Sequence, residues 1–427
     1  MKDKKVFKWI PLQGEFLKEI AFVEQTIGNY SIARPTDGYC IILDRDQSKA
    51  LVFDEVYHVP SNLNLWIERG FLVVSFNSLD QKKNCYILKI KDNSLIAGDE
   101  KVNIINYKNF LSKKSNYFEV ENSQGKRAIF DKDGNQISDW LDDIIEDGLI
   151  NRQSNYYIGK KEGKQAIFYK NGKQISDWFN WIDPVGLVSG LSDYYIAGKD
   201  GKEAIFHKSG KQISDWVTWI ESDGLVNGQS EYYIEKKDKQ KAVFDKEGRQ
   251  ISDWYDDIDE EGLFKGESSY YIAIKNDKEA IFDKDGNQIS KWFDWISSEG
   301  LVSGQSDFYL VKKDWEYAIF NKDGKQISDW FDSIYTKGLV EGKSEYYIAE
   351  KKGKRAIFHR SGEQVSEWFD DINLSGLING KTDYYVGKRI LFHYIGKLGS
   401  SKLLGPFMSI KDYGFIKSPT KNTIFAD

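Results

Sequence analysis

The chain is poor in residues that staple a fold, carry metal or do acid–base chemistry: two cysteines, four histidines, six prolines and two methionines in 427 residues. Cys40 and Cys85 make no disulfide scaffold, and neither has a second Cys or a His at zinc-ligand spacing. Both read as small buried residues in a reducing compartment. There is no apolar run near the roughly 20 residues a membrane helix requires. Residues 1–30 mix charges into every apolar stretch, leaving no secretory core, so a cytoplasmic location is expected. A basic excess is also missing: 60 Lys and Arg stand against 66 Asp and Glu, a net charge of −6, which argues against a dedicated nucleic-acid binder. The glycines never cluster before a Lys-Ser/Thr pair, so there is no phosphate loop. Aromatic residues, by contrast, are abundant: 13 Trp, 25 Tyr and 25 Phe, which exclude wholesale disorder.

Those aromatics are periodic. Phe130, Phe168, Phe206, Phe244, Phe282, Phe320 and Phe358 stand 38 residues apart, and so do Trp140, Trp178, Trp216, Trp254, Trp292, Trp330 and Trp368. Seven copies keep this register without insertion or deletion. The flanks read as worn copies: Tyr30-Ser31-Ile32-Ala33, Leu51-Val52-Phe53-Asp54 and Trp66-Ile67 before them, Gly414-Phe415-Ile416 after. The expected organisation is an N-terminal cap at 1–29, divergent repeats at 30–124, seven regular repeats at 125–386, and a divergent repeat with a cap at 387–427.

Within a unit, Tyr156-Tyr157-Ile158 and Ala166-Ile167-Phe168 carry strand-forming residues around the turn Lys161-Glu162-Gly163. Lys170-Asn171-Gly172 then reads as a three-residue hairpin loop with glycine in the left-handed position. Gly134, Gly172, Gly210, Gly248, Gly286, Gly324 and Gly362 fill that place in all seven copies. The segment Ile175 to Ile182 fits either two helical turns or an extended strand, and its hairpin neighbours favour the strand. A lone hairpin unit cannot cover its aromatic face, so neighbours must stack. The fold expected is all-β: tandem 38-residue antiparallel hairpin or meander repeats in an open superhelical array, with a closed β-propeller as the alternative. Phe130, Ile144, Phe168, Phe206 and the Trp140 series are the expected repeat core.

This plan resembles the WG-repeat family of bacterial proteins. Gly125-Lys126 and Gly163-Lys164 match the family's opening pair and Lys132-Asp133-Gly134 its turn. Trp140-Leu141-Asp142-Asp143 followed by Gly148-Leu149 matches its aromatic-acidic stretch. The namesake pair is replaced: the Trp position holds Arg127, Gln165, Glu203, Lys241, Glu279, Tyr317 and Arg355, and the Gly position holds Ala throughout. The resemblance implies a binding or scaffold role and brings no catalytic residues.

Candidate chemistry divides into repeated frame and exposed surface. Ser138 and its six equivalents are adjacent to acidic residues in six of the seven copies, yet a feature copied seven times serves the unit, and the hydroxyl is expected to satisfy turn backbone. Asp131-Lys132-Asp133-Gly134-Asn135 begins like a calcium loop, but the twelfth position is Asp142 rather than a bidentate Glu, and Tyr169, His207 and His359 replace the first ligand elsewhere. No metal or cofactor is expected. A second indole, Trp181, Trp219 or Trp295, follows the first by three residues in three copies, where others carry Asp143, Asp257, Ser333 or Asp371. A position that accepts Trp or Asp faces solvent, because an unpaired buried carboxylate is costly. The nine-residue windows from 139–147 onward carry −21 in total, leaving +15 on the remaining chain. The expected function is therefore a non-enzymatic scaffold binding a protein or protein complex through an aromatic, acidic surface, with Trp181, Trp219, Trp295, Asp142, Asp256 and Asp257 as contact residues. The alternative is a carbohydrate-binding module stacking sugars on exposed Trp and Tyr.

Overall fold

Successive side chains of a strand point to opposite faces, so consecutive apolar residues in extended chain require cover on both sides. The computed structural model meets that requirement by stacking hairpins. It describes residues 101–410 throughout and, before them, 7–11, 20–27, 30–35, 41–44, 49–53, 57–58, 63–76, 85–92 and 94–98. The described chain is nearly all β. Each regular unit is a three-stranded antiparallel sheet made of a two-residue strand and a hairpin of two six-residue strands: Asp143–Ile144, Tyr156–Lys161 and Lys164–Tyr169 in the first. Tyr156 pairs with Tyr169 and Lys161 with Lys164 across the hairpin, while Asp143 lies opposite Lys160. The pattern recurs to Asp371–Ile372, Tyr384–Arg389 and Phe392–Lys397, where Leu404–Phe407 adds a fourth strand. The sheets are separate, and none closes on itself.

The chain forms two compact units, Met1–Asp200 with Phe206–Lys211 and Gly201–Ile205 with Gln212–Asp427. In the second, Tyr309, Val311, Ala318 and Phe320 of one hairpin pack on Ile272 and Ile281 of the hairpin before it. The alternate residues Leu310 and Ile319 pack forward with Tyr347, Ala349 and Phe358. One hairpin thus feeds two successive cores, which is why its strands read Tyr-Tyr-Ile rather than alternating with polar residues. In the first unit Tyr157 and Leu141 share a core with Ile129 of the preceding hairpin.

Two turns make this stacking possible. The hairpin bend places both of its residues in the left-handed region, as at Glu162 and Gly163 (φ 52° and 76°). In the next loop Gly172 has φ 82°, and a Cβ there would stand 2.2 Å from the carbonyl of Ile137 in the preceding repeat. Glycine at this position therefore serves both the turn and the close approach of neighbours.

The segment between the loop and the short strand is extended, not helical. Gln174 bridges to Phe168 and Phe179 to Gln165. This register corrects one expectation. The indoles of the Trp140 series are half-buried at the core margin, six of them edge-on to their Phe130-series neighbours at 5.9–6.3 Å, and the residue after each indole takes the fully buried place. Leu141, Phe179, Val217, Tyr255, Phe293, Phe331 and Phe369 are all buried, as are Phe130, Ile144 and Phe206, whereas Phe168 is half-buried.

The flanks are less uniform than the worn-copy reading implies. Phe7–Pro11 through Lys49–Phe53 form one five-stranded sheet, and Trp66-Ile67 lies on the helix Leu63–Glu68, with Trp66 buried against Phe71, Phe110 and Phe118. The boundary expected at 386/387 falls inside the strand Tyr384–Arg389. Cys40, Asp54 and Gly414-Phe415-Ile416 lie outside the described residues.

Candidate partner-binding face

Several residue types singled out for chemistry hold the frame. Each Ser of the Ser138 series is buried and accepts the amide of a residue nine positions earlier on the second hairpin strand, as in Ile129 N to Ser138 Oγ (2.9 Å) and Ile167 N to Ser176 Oγ (2.8 Å). Ser176 also donates to the carbonyl of Asp177 (2.9 Å), so both hydrogen-bonding capacities of the hydroxyl are in use. Asp131 Oδ1 accepts the amides of Asp133 and Asn135, and Asn321 Oδ1 and His207 Nδ1 accept turn amides at the same place. That shared role explains why Asp, Asn and His interchange there. Cys85 is buried, donates to the Val102 carbonyl (3.1 Å), and its thiol is pushed up to about 12 by burial.

Asp142 and Asp256, expected to face a partner, also serve the fold, Asp142 half-buried and Asp256 exposed. Asp142 Oδ2 accepts the amide of Glu162 (2.6 Å) and Asp256 Oδ2 that of Asn276 (2.7 Å), each capping a hairpin bend twenty residues on. The hydrogen bond from Lys126, then the Glu162 amide, holds the Asp142 carboxyl below the usual carboxylate range. Asp294 does the same for Asp314 (2.8 Å) and pairs with Lys278 (2.8 Å).

The position that alternates between Trp and Asp does face solvent. Trp181 is 38% exposed and Trp295 39%, Trp219 is half-buried, and Asp257 and Asp371 are exposed. The amide of the following Ile lacks a strand partner and is satisfied in two ways. Beside Trp181, Trp219 and Trp295 it donates to Gln165 (2.7 Å), Glu203 (2.9 Å) and Glu279 (2.6 Å), sixteen residues before the indole. Beside Asp143, Asp257 and Asp371 it donates to that Asp itself (2.9–3.0 Å), and the carboxylate is paired with Arg127, Lys241 and Arg355, again sixteen residues earlier. The namesake Trp position of the resembling family thus carries the residue that matches the choice. Under Trp181 the cross-strand residue is Gly198, where a Cβ would stand 2.0 Å from the indole nitrogen.

One stretch of the second unit breaks the repeat pattern three times. Position 315 is Trp where other copies have Gly163, Gly201, Lys239, Asp277, Gly353 or Leu391. Position 317 is Tyr where the others are polar or charged, and position 335 is Tyr where the others are Ile145, Asp183, Glu221, Asp259, Ser297 or Asn373. These three aromatics and Trp295 line a groove of about 820 Å³. Trp295 and Tyr317 meet edge-to-face, with centroids 6.5 Å apart and planes at 75°. Lys312 Nζ lies 4.4 Å from the Trp315 ring and 5.6 Å from that of Tyr317. Trp315 is 83% exposed and has φ 71°, where a bulky side chain is a steric outlier. The signal legible in the sequence was a Trp standing where glycine is used elsewhere.

Buried carboxyls form a second group. Glu119 is fully buried, and burial pushes it up to about 7 against the pull of Asn106 (2.6 Å) and Arg127. Glu235 is likewise pushed up to about 7 by burial. Glu221, Asp223 and Glu260 bring carboxylate oxygens within 4.8 Å of one another, the one such acidic group among the described residues. Burial and then the Glu260 charge raise Glu221 to about 7. Among the described residues no helix is long and apolar enough to cross a membrane.

No family model matches the chain, and no curated protein matches it. Solved structures give distant likenesses. The computationally designed Ika8 protein is 12% identical, covering 71% of this chain and 93% of that one, with a TM-score of 0.23. A eukaryotic initiation factor is 9% identical, covering 78% and 94%, with a TM-score of 0.26. Hsv2 of Kluyveromyces lactis is 12% identical, covering 69% and 88%, with a TM-score of 0.22.

Proposed function

We propose that the chain is a non-enzymatic repeat scaffold that binds another protein through indoles set on its short strands. The observation that carries this reading is the pairing of Trp181, Trp219 and Trp295 with Gln165, Glu203 and Glu279. At these places the frame is satisfied without the indole, so the large apolar ring is retained on the surface for something other than folding. Exposed Trp is a frequent anchor at protein interfaces, and several weak anchors on one chain multiply affinity. The likeness to the WG-repeat plan supports the same role, and the chain's two cysteines suit a cytoplasmic setting.

The test is capture with the whole chain, identification of the bound protein, and titration of that purified protein. Replacing Trp181, Trp219 and Trp295 with Ser, the residue native to the same place at Ser333, is expected to weaken binding by at least roughly tenfold while leaving the fold intact. Unchanged affinity of the triple variant, or strong signal on a glycan array with no protein captured, overturns the proposal.

A further inference from the structure

The groove around Trp315 has a composition that selects its occupant. The Trp295 and Tyr317 planes stand at 75°, so this wall is a cleft rather than a flat platform. Its donor-only groups are the indole N–H groups of Trp295 and Trp315 and the Lys312 ammonium, while the hydroxyls of Tyr317, Tyr335, Ser333 and Thr336 both donate and accept. None of these side chains donates a hydrogen bond within the described residues, and Lys312 has no carboxylate within ion-pair distance there. The one carboxylate lining the groove, Asp294, already accepts from Lys278 and the Asp314 amide. A matching ligand supplies an anion and acceptors and is not cationic, since Lys312 already lies over Trp315 and Tyr317 and Arg355 lies 4.9 Å from the Tyr335 ring. A neutral sugar leaves the Lys312 ammonium without a counter-charge, whereas a peptide with an acidic side chain supplies one. In an extended proline-rich segment the backbone carbonyls project outward as acceptors and the rings pack into aromatic-lined clefts.

We propose that the groove formed by Trp295, Trp315, Tyr317 and Tyr335 binds an extended, proline-rich peptide segment bearing an acidic residue that pairs with Lys312. This deepens the protein-scaffold reading and rests on it. Left-handed backbone is general at this place, as at Lys239 (φ 70°) and Asp277 (φ 58°); what is particular to position 315 is an indole that is 83% exposed.

The test uses the full chain and a fluorescein-labelled dodecapeptide of four Pro-Pro-Glu units, followed by polarisation. The control peptide has Ala for each Pro, and cellohexaose and chitohexaose serve as competitors. Trp315→Gly installs the residue native to Gly163, Gly201 and Gly353, and Tyr317→Glu the one native to Glu203 and Glu279, so both variants keep the frame. The Pro-Pro-Glu peptide is expected to bind the parent chain, with each variant and the Ala peptide weaker by at least roughly tenfold. Trp315→Gly is also expected to raise the thermal midpoint by relieving the turn. The inference is overturned by no binding of the Pro-Pro-Glu peptide, by equal binding to Trp315→Gly or of the Ala peptide, or by displacement with a hexasaccharide. A captured partner that is lost on replacing Trp181 and Trp219 but indifferent to Trp315→Gly overturns this inference alone and leaves the scaffold reading standing.

Discussion

Three repeats present an indole where three others present a carboxylate, and the backbone beneath is the same. In the Asp copies, Arg127, Lys241 and Arg355 neutralise Asp143, Asp257 and Asp371, which cap the following amide themselves. In the Trp copies, Gln165, Glu203 and Glu279 reach across sixteen residues to the same amide, and the ring is freed from any hydrogen-bonding duty. The difference teaches that what looks like a single variable surface position is one half of a coupled pair. A buried or half-buried amide must be satisfied, and each pair is a complete way of doing so. The surface chemistry of a repeat can therefore change without changing its fold.

The largest effect is expected where an Asp copy also guards a buried charge. Arg127 lies 2.7 Å from Asp143, 3.5 Å from the buried Glu119 and 3.8 Å from Glu121. Arg127→Ala is expected to cost about 3 kcal/mol at pH 8.5, because a buried carboxylate then stands without its cation. The loss shrinks at pH 5.5. Glu119 is raised to about 7, so the folded chain holds a proton there that the unfolded chain has released above its ordinary carboxyl range. Its contribution to stability consequently falls as pH rises towards and through 7. Denaturant midpoints of parent and variant at the two pH values check this, and equal losses would break the account.

In a Trp copy the corresponding test removes the long-range acceptor. Glu279→Ala leaves the Ile296 amide without its partner and is expected to cost about 1–2 kcal/mol. Glu279→Gln keeps an acceptor of the kind native to Gln165, so thermal unfolding should place it near the parent. Burial raises Glu279, so the Gln variant should gain relative to the parent as pH rises above the carboxyl range. A Gln variant as unstable as the Ala variant would show that charge, not hydrogen bonding, matters at this place.

A Trp copy and an Asp copy meet at Glu221 and Glu260, where two carboxyls crowd. Glu221→Gln is expected to stabilise the chain by about 0.5 kcal/mol at pH 8, a figure reduced for the group's partial exposure, and to change little at pH 5. The sign follows from a carboxyl raised to about 7, which is ionised at a cost at pH 8 and protonated at pH 5. The difference between the two pH values, read from denaturant midpoints, is the measurement.

How far these pairs were legible in the sequence depends on the range of the interaction. The hairpins and their glycine loops were readable because a Gly172-type turn is set by three adjacent residues. The solvent-facing character of Trp181 and Trp295 followed from one position accepting two opposite side chains. Two things were not readable. Trp178-Phe179 offers two adjacent aromatics, and only the bridge from Phe179 to Gln165 decides which one is buried. Asp142 looks like surface charge, yet it caps an amide twenty residues away, a bond that leaves no local pattern. The sixteen-residue coupling is hidden for the same reason: in the sequence, Gln165 and Arg127 stand only as departures from the namesake Trp of the resembling family.

The finest test exchanges one whole solution for the other. Trp295→Asp alone places a second carboxylate near Glu279 and is expected to cost about 1 kcal/mol through like-charge repulsion. Adding Glu279→Arg installs the pair native to Arg127 and Asp143, and the double variant should return to within about 0.5 kcal/mol of the parent. The recovery, measured as a double-mutant cycle in denaturant, gives the coupling energy of the pair directly. The same double variant lacks the Trp295 indole, one of the two that line the groove, so it should stay folded while losing the proline-rich peptide. A double variant less stable than Trp295→Asp would mean that the two solutions are tied to their own repeats and that the surface cannot be exchanged independently of the fold.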